Sequence, residues 1–443
     1  MPIDFDINTH DYYELKEMLA DTNPVDIAEW IDEMKEQQQV LKLFRMLPKD
    51  KAADVFSYLT RDSQESIISA IKDHEISNII DELFLDDAVD FIEEMPAGVV
   101  KRVLSNLPRD KRDMINNFLK YPEGSAGSIM TIEYVDLKEE QTVAEAFNRI
   151  RRDGVDKETI YTCYVTDAAR HLLGVVSVRT LLLSSPEDKI ADIMTRDVIS
   201  ANTTDDKENV LNEFSKYGFL AMPVVDNEQR LVGIVTFDDI LEVQEEEATE
   251  DFEIMAAMSP SDEPYLKTKI TRLALNRIPW LMLLMITAII SGHIIERFEH
   301  ALTVMPVLIT FIPMLMDTAG NSGAQSATLI IRGIALEEIG AKDAFTVWLR
   351  EIRVAALCGS ALATVNFVRV LIFNNMDVAL AFSVSLALFI TVIIAKSVGC
   401  LLPQLAKLLK FDPAVMAAPA ITTIVDAAGL LVYFGISKLM FGI

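Results

Sequence analysis

The chain has 443 residues and a formal net charge of −27, unevenly spread: residues 266–443 carry 10 acidic and 14 basic side chains, residues 1–265 carry 57 and 26. A front half with a balance of −31 repels nucleic acid and anionic headgroups, attracts cations, and is long enough for one or two soluble domains. Cys163, Cys358 and Cys400 are too few and too scattered for a disulfide framework or a CxxC zinc site.

The N-terminus, Met1-Pro-Ile-Asp-Phe-Asp, lacks a basic segment followed by an apolar one. No cleaved signal peptide is therefore expected, and the first apolar helix would serve as the insertion signal. Residues 1–127 read as an acidic helical domain, with apolar positions at three- and four-residue spacing such as Leu41, Phe44, Leu47 and Val55, Leu59. A loose unit recurs at Leu47-Pro-Lys-Asp, Met95-Pro-Ala-Gly and Leu107-Pro-Arg-Asp, each placing proline at a helix start as a small helical solenoid would.

Residues 128–243 hold an internal duplication. Ser128-Ile-Met-Thr131 returns as Asp192-Ile-Met-Thr195, and Tyr164-Val-Thr-Asp167 with Leu173-Gly-Val-Val returns as Pro223-Val-Val-Asp226 with Leu231-Val-Gly-Ile-Val. Each copy predicts a helix, two strands and a second helix. The pair resembles tandem CBS domains, which implies an α/β module of two βαββα units that often dimerises. The resemblance also implies an adenine nucleotide such as ATP, for which the residues give no separate support.

A connector helix is expected over 244–277, from the acidic run at Glu242–Glu253 through Pro260-Ser-Asp-Glu-Pro264 to a basic juxtamembrane segment. The remaining stretch, 278–443, predicts five transmembrane helices at about 278–295, 302–333, 353–373, 378–402 and 414–438, each near the roughly 18–20 residues a crossing needs. Lys267, Lys269, Arg272 and Arg277 precede the first, Lys342, Arg350 and Arg353 follow the second, and Lys407 and Lys410 follow the fourth. The opposite loops hold little beyond Arg297, Arg369 and Lys438, so the positive-inside rule puts the N-terminus in the cytosol and the C-terminus outside.

Asp426 is the lone carboxylate of the last apolar run, where ionisation costs about 2.5–3.5 kcal/mol. It shares a helical stripe with Ala418, Thr422, Gly429 and Tyr433, fit either to line a wet path or to pack closely on another helix. Lys396 and Arg369 are the basic residues available to pair with it. The second segment is polar at bilayer depth, with Asp317, Asn321, Gln325 and Thr328 near one face, a pattern tolerated only in a protein interior or along a wet cavity. The candidate ligands are all oxygens, which favours Mg²⁺, Ca²⁺ or Mn²⁺ over zinc and copper. The few carboxylates fit Mg²⁺ held through its water shell, and leave Na⁺ and the proton open.

Three further segments carry a resemblance: Tyr121-Pro-Glu-Gly-Ser-Ala-Gly-Ser-Ile-Met-Thr131, Gly320-Asn-Ser-Gly-Ala-Gln-Ser-Ala-Thr-Leu-Ile-Ile-Arg332 and Pro419-Ala-Ile-Thr-Thr-Ile-Val-Asp-Ala-Ala-Gly429. With the order of the parts, they make the chain similar to the MgtE family of magnesium channels and transporters over nearly its full length. The resemblance implies a homodimer in a bacterial cytoplasmic membrane, with Mg²⁺ both transported and regulatory. Asp426 would face the ion on the two-fold axis and Asp412 would sit near the cytosolic mouth. Asp206, Glu208, Asp239, Glu247, Glu250 and Asp251 match its sensor positions, and Asp86 and Asp90 are counterparts in the N-domain. One departure is Gly218, where some members carry an acidic ligand. Outside this reading stand an ion-coupled exchanger and a channel for Co²⁺, Mn²⁺ or Ca²⁺. An intramembrane enzyme would need an HExxH pair, which does not occur, or a Ser/Lys dyad within the membrane, and nothing in the sequence pairs obviously with a nucleophile. A nucleotide sensor on an inert anchor would need neither Asp426 nor Asn321.

Overall fold

The structure, a computed structural model, describes residues 12–442 apart from 35, 262–264, 267, 337, 374–376 and 417, so Lys267 and part of the expected connector lie outside the described residues. The chain forms two compact units, up to Gln244 and from Glu245.

The first unit begins with helices α1 (Tyr12–Asp21), α2 (Pro24–Glu33), α3 (Gln37–Phe44), α4 (Lys49–Ser57), α5 (Arg61–Ala70), α6 (Asp73–Glu82), α7 (Leu85–Glu94), α8 (Ala97–Asn106) and α9 (Arg109–Phe118). Proline punctuates them, one position earlier than expected: Pro48, Pro96 and Pro108 occupy the N-caps of α4, α8 and α9 with extended ψ of 154, 143 and 149°. The fixed φ and missing N–H of proline end the preceding turn and leave the next helix free to start. Helices α2 and α6–α7 each turn a face of Ile, Val, Leu or Phe inward, and Phe56 packs edge-on against Phe44 and Phe91 at centroid distances of 6.3 and 5.1 Å.

The duplicated half of this unit contains β1 (Asp136–Leu137), α10 (Val143–Asp153), β2 (Thr162–Thr166), β3 (Leu172–Ser177), α11 (Val178–Leu183) and α12 (Ile190–Ile193), then β4 (Ala201–Asn202), α13 (Lys207–Tyr217), β5 (Ala221–Val225), β6 (Leu231–Thr236) and α14 (Phe237–Met255). Two three-stranded sheets result, β1-β2-β3 and β4-β5-β6, each with one parallel and one antiparallel pair and each with a register shift at the same place in its central strand. The repeated Ile-Met-Thr segments explain why the copies need each other. Thr131 exchanges backbone hydrogen bonds with Ile234 of the second copy, and Thr195 with Val175 of the first. Gly174 and Gly233 make room: a Cβ there would meet Met194 Sδ at 2.8 Å and Met130 Sδ at 2.7 Å. Each copy thus closes the other's sheet.

The connector helix expected over 244–277 is divided: its first part continues the helix after β6, and its last part, from Ile270, begins the next long helix. α14 runs unbroken for 19 residues from Phe237 to Met255, across the boundary between the units.

The second unit holds α15 (Ile270–Arg297), a short α16 (Glu299–Val304), α17 (Ile312–Ala335), α18 (Ala344–Phe373), α19 (Val378–Leu408) and α20 (Ala418–Phe441). Among the described residues four helices, α15, α18, α19 and α20, are long and apolar enough to cross a membrane. The expected second span at 302–333 is instead divided into α16, a 3₁₀ turn at Pro306–Phe311 and α17. Asp317, Arg332 and the Asn-Ser-Gly-Ala-Gln run make α17 the most polar of the long helices. It is not peripheral: Leu315, Ala319, Gly320, Gly323, Ala327 and Ile331 are all buried. α19 is the most enclosed, whereas α15 keeps Leu281, Met285 and Ile289 exposed, as a face turned to lipid or to another chain would.

Candidate cation-binding sites

In the second unit, α17, α19 and α20 meet through their small residues. Gly323 and Gly399 bring the backbones of α17 and α19 into contact, and a Cβ at Gly323 would lie 2.6 Å from Ile421 Cγ2. Next to this crossing, Gly320 faces the Thr422 methyl group, so the polar turn of α17 and the Asp426 helix lie side by side. α17 stays helical through Asp317–Gln325, so its glycines serve close packing and not an unwound backbone. Asn321 Nδ2 donates to Asp317 Oδ1 at 3.2 Å, which orients that carboxylate along the helix face.

Asp426 is half-buried, and no hydrogen bond or ion pair reaches it among the described residues. Neither basic candidate meets it. Lys396 Nζ lies 3.3 Å from Ser326 Oγ, and Arg369 donates to Asn366 Oδ1 at 3.0 Å while covering the Phe311 ring. The stripe predicted for α20 is used for packing at its far end: Gly429 meets Thr391, and the Tyr433 hydroxyl donates to Leu308 O at 2.9 Å. The side chain of Ala418 lies outside the described residues.

The last turn of α14 belongs to this unit. Ile254 and Met255 pack on the cluster formed by Ala319, Ala327, Ile331, Ala414, Ile421 and Val425, beside the α17–α20 crossing. Asp251 lies one turn before Met255, its carboxyl pushed up to about 6 by burial and then by the charges of Asp412, Glu247 and Glu250. Asp412 also has a local structural task, accepting from Ala414 N at 2.8 Å at the turn before α20.

In the first unit the acidic residues gather in one seam between α7 and the CBS half. Asp86 is only 8% exposed, and burial followed by the charges of Asp239, Asp87 and Glu158 holds its carboxyl well above the usual range. Burial and the charges of Asp239 and Glu242 lift Asp87 to about 7. Glu158 is lifted to about 8 by burial and by Asp238 and Asp239, and its Oε2 is buried with no hydrogen-bond partner. Asp239 accepts from Thr236 Oγ1 at 2.6 Å, which fixes it at the start of α14. Asp90 lies one turn beyond Asp86, near Glu242. Lys111, whose charge reaches Asp86, donates from Nζ to Leu83 O at 2.9 Å.

Asp206 and Glu208 open α13. Asp206 is the N-cap of α13, accepting from Glu208 N at 2.9 Å. Gly218 closes the same helix with φ 66° and ψ 43°, the left-handed conformation that favours glycine. Asp87, Glu158 and Glu242 were missed in the sequence. Asp87 had a signal in its adjacency to Asp86, whereas Glu158, in a loop of the other domain, had none. Among the described residues no three His, Cys, Asp or Glu groups converge tightly enough to hold a bare metal ion. Looser sets of carboxylates suit Mg²⁺ that keeps its water shell.

Known proteins share this architecture. The MgtE family, described as a divalent cation transporter, matches residues 312–436, its intracellular N domain matches 22–124, and CBS domains match 126–187 and 190–246. The magnesium transporter MgtE of Thermus thermophilus is 36% identical over 431 residues, 96% of this chain and 95% of the relative. That of Bacillus subtilis is 35% identical over 424 residues, covering 96% and 93%. The cytosolic domain of the Mg²⁺ channel MgtE, solved in complex with ATP, is 36% identical with a TM-score of 0.50, over 53% of this chain and 95% of that one. These full-length relatives are transporters and not enzymes, and the chain belongs to the MgtE family of divalent cation transporters.

Proposed function

We propose that this protein transports Mg²⁺ across a membrane and closes when Mg²⁺ gathers on its acidic unit. The observation that carries the transport reading is Asp426, a half-buried carboxylate without a partner among the described residues, beside the polar turn of α17. The cargo follows from the relatives, which are named magnesium transporters at 33–36% identity. Asp426 would act on the ion through its water shell, with Thr422, Asn321 and Asp317 supplying further oxygens. The working form is a homodimer in the bacterial cytoplasmic membrane, five spans per chain, N-terminus inside and C-terminus outside, so that two Asp426 side chains share one ion.

Closure rests on the seam. Mg²⁺ bridging Asp86, Asp87 or Asp90 to Glu158, Asp239 or Glu242 would draw the helical domain onto the CBS pair. Carboxylates already lifted by burial and then by mutual repulsion gain most from a divalent ion. α14 starts at that seam and ends against the α17–α20 crossing, a covalent link between sensor and path. Asp251, Asp412, Glu247 and Glu250 form a second acidic set at its far end. ATP at the CBS pair belongs to this reading because a similar cytosolic domain was solved with it. Purified protein in liposomes tests the whole: Mg²⁺ uptake without an imposed Na⁺ or H⁺ gradient is expected, and its absence overturns the reading.

A further inference from the structure

The membrane unit holds a second charged set apart from Asp426, a buried Lys396 and a half-buried Glu351. Lys396 of α19 is 5% exposed and Ser326 of α17 is 1% exposed. Ser326 Oγ donates to Glu351 Oε2 of α18 at 2.6 Å and lies 3.3 Å from Lys396 Nζ, so one hydroxyl bridges an ammonium and a carboxylate from three helices. The triad opens on a cavity of about 840 Å³ whose lining includes Asn321, Gln325 and Thr328 from one face of α17, Cys358 from α18, and Glu351 and Lys396 themselves.

Such a cavity presents side-chain oxygens and one carboxylate at membrane depth, the chemistry that collects a hydrated divalent cation. Lys396 changes that. Its compact ammonium offers three donors, and a positive charge beside Glu351 cancels the field a cation would follow. The cost of holding two charges in the interior is offset only where they remain paired.

We propose that Lys396 is a tethered counter-cation for Glu351, a specificity-determining residue that keeps the cavity beside the α17 stripe wet but unable to trap the transported ion. The proposal rests on the reading that this stripe borders the Mg²⁺ path. Without Lys396 the carboxylate becomes a competing divalent site next to that path; without Glu351 the bare ammonium repels cations from it.

Cys358 supplies the probe. It is exposed on the cavity wall, whereas Cys163 and Cys400 are buried. The full-length protein in liposomes is labelled with cationic and with anionic methanethiosulfonates, and the ratio of their rates reports the local potential. In the wild type, labelling proceeds with both reagents and ignores millimolar Mg²⁺. Lys396→Met raises the cation-to-anion ratio on the order of tenfold, the effect of one unit charge at such range, and makes labelling sensitive to Mg²⁺. Lys396→Met with Glu351→Gln restores the wild-type ratio, and Glu351→Gln alone lowers it by a similar factor. A wild-type Cys358 that is unreactive, a wild-type rate that Mg²⁺ already slows, or a ratio unmoved in Lys396→Met overturns the proposal. Should Lys396→Met fail to fold, an unmoved ratio in Glu351→Gln is equally decisive. Asp426→Asn separates the two readings: loss of flux with wild-type labelling leaves both standing, while full flux with the expected labelling pattern sinks the path alone.

Discussion

In the soluble unit six carboxylates, Asp86, Asp87, Asp90, Glu158, Asp239 and Glu242, crowd one seam, whereas in the membrane unit α20 carries Asp426 alone. Water explains the contrast. The seam is buried but belongs to a unit that water surrounds, so the strain of crowding its carboxylates can be relieved by a proton or a mobile cation. In hydrocarbon every added charge carries a desolvation cost, so the proposed path uses few acids, Asp426 and Asp317, among neutral oxygens. On the proposed reading, a crowd of acids senses the concentration of an ion, and a sparse set of acids passes it. Glu351 is an instructive intermediate, a further intramembrane acid accommodated only beside Ser326 and Lys396.

The comparison breaks most readily at Asp426. Asp426→Asn keeps shape and removes charge, and the expected loss of Mg²⁺ uptake is on the order of a hundredfold, from about 3 kcal/mol of lost ion stabilisation. Asp426→Glu should retain part of the flux. Liposome uptake reads both, and a neutral variant that transports normally would end the distinction between sensing and passing acids. Next in size is Gly399→Leu, which drives a side chain into the Gly323 carbonyl where α17 and α19 touch. Overpacking there should cost about 3 kcal/mol, read as loss of heat resistance in the detergent-solubilised protein, with the soluble unit unaffected.

These two sites were unequally legible. Asp426, Thr422, Asp317 and Asn321 announce themselves because polar residues stand out against an apolar background. The duplication was equally plain, since each copy repeats the Met-Thr segment and the glycine it packs on. Helical periodicity reports only a residue's own helix. It could not reveal that Ser326, Glu351 and Lys396 converge, or that Lys396 turns from Asp426 to Ser326. For the same reason Glu158 was invisible. The bounds of the expected segment at 302–333 shifted because Pro306 and Pro313 limit where helix can start, a signal weaker than the apolar run around them.

The seam makes a smaller, graded prediction. Asp87 and Glu158 have folded-state values near 7 and 8, raised from 3.8 and 4.5. The folded state therefore holds more protons than the unfolded one between about pH 4 and 8, and stability falls as pH rises through that window. In EDTA, protease cleavage between the helical domain and the CBS pair should quicken several-fold from pH 5 to pH 8. Millimolar Mg²⁺ should flatten the dependence, and so should Asp87→Asn with Glu158→Gln. A cleavage rate indifferent to both pH and Mg²⁺ would mean that the seam senses neither.

Gly218→Asp offers the finest adjustment, because it adds an acid where this chain has none. Its left-handed backbone resists any side chain, but aspartate is among the residues that enter this region most readily. A strain of about 1 kcal/mol corresponds to a fall of about 2–4 °C in melting temperature for a unit of this size, measured in EDTA. If this helix end faces a regulatory ion, the new carboxylate should recover the loss in Mg²⁺ and lower the Mg²⁺ concentration that protects against protease by about twofold. Recovery without a shifted midpoint would leave strain as the only effect of the substitution. In that case the helix end at Gly218 is a cap alone, and sensing is concentrated in the seam at Asp86, Glu158 and Asp239.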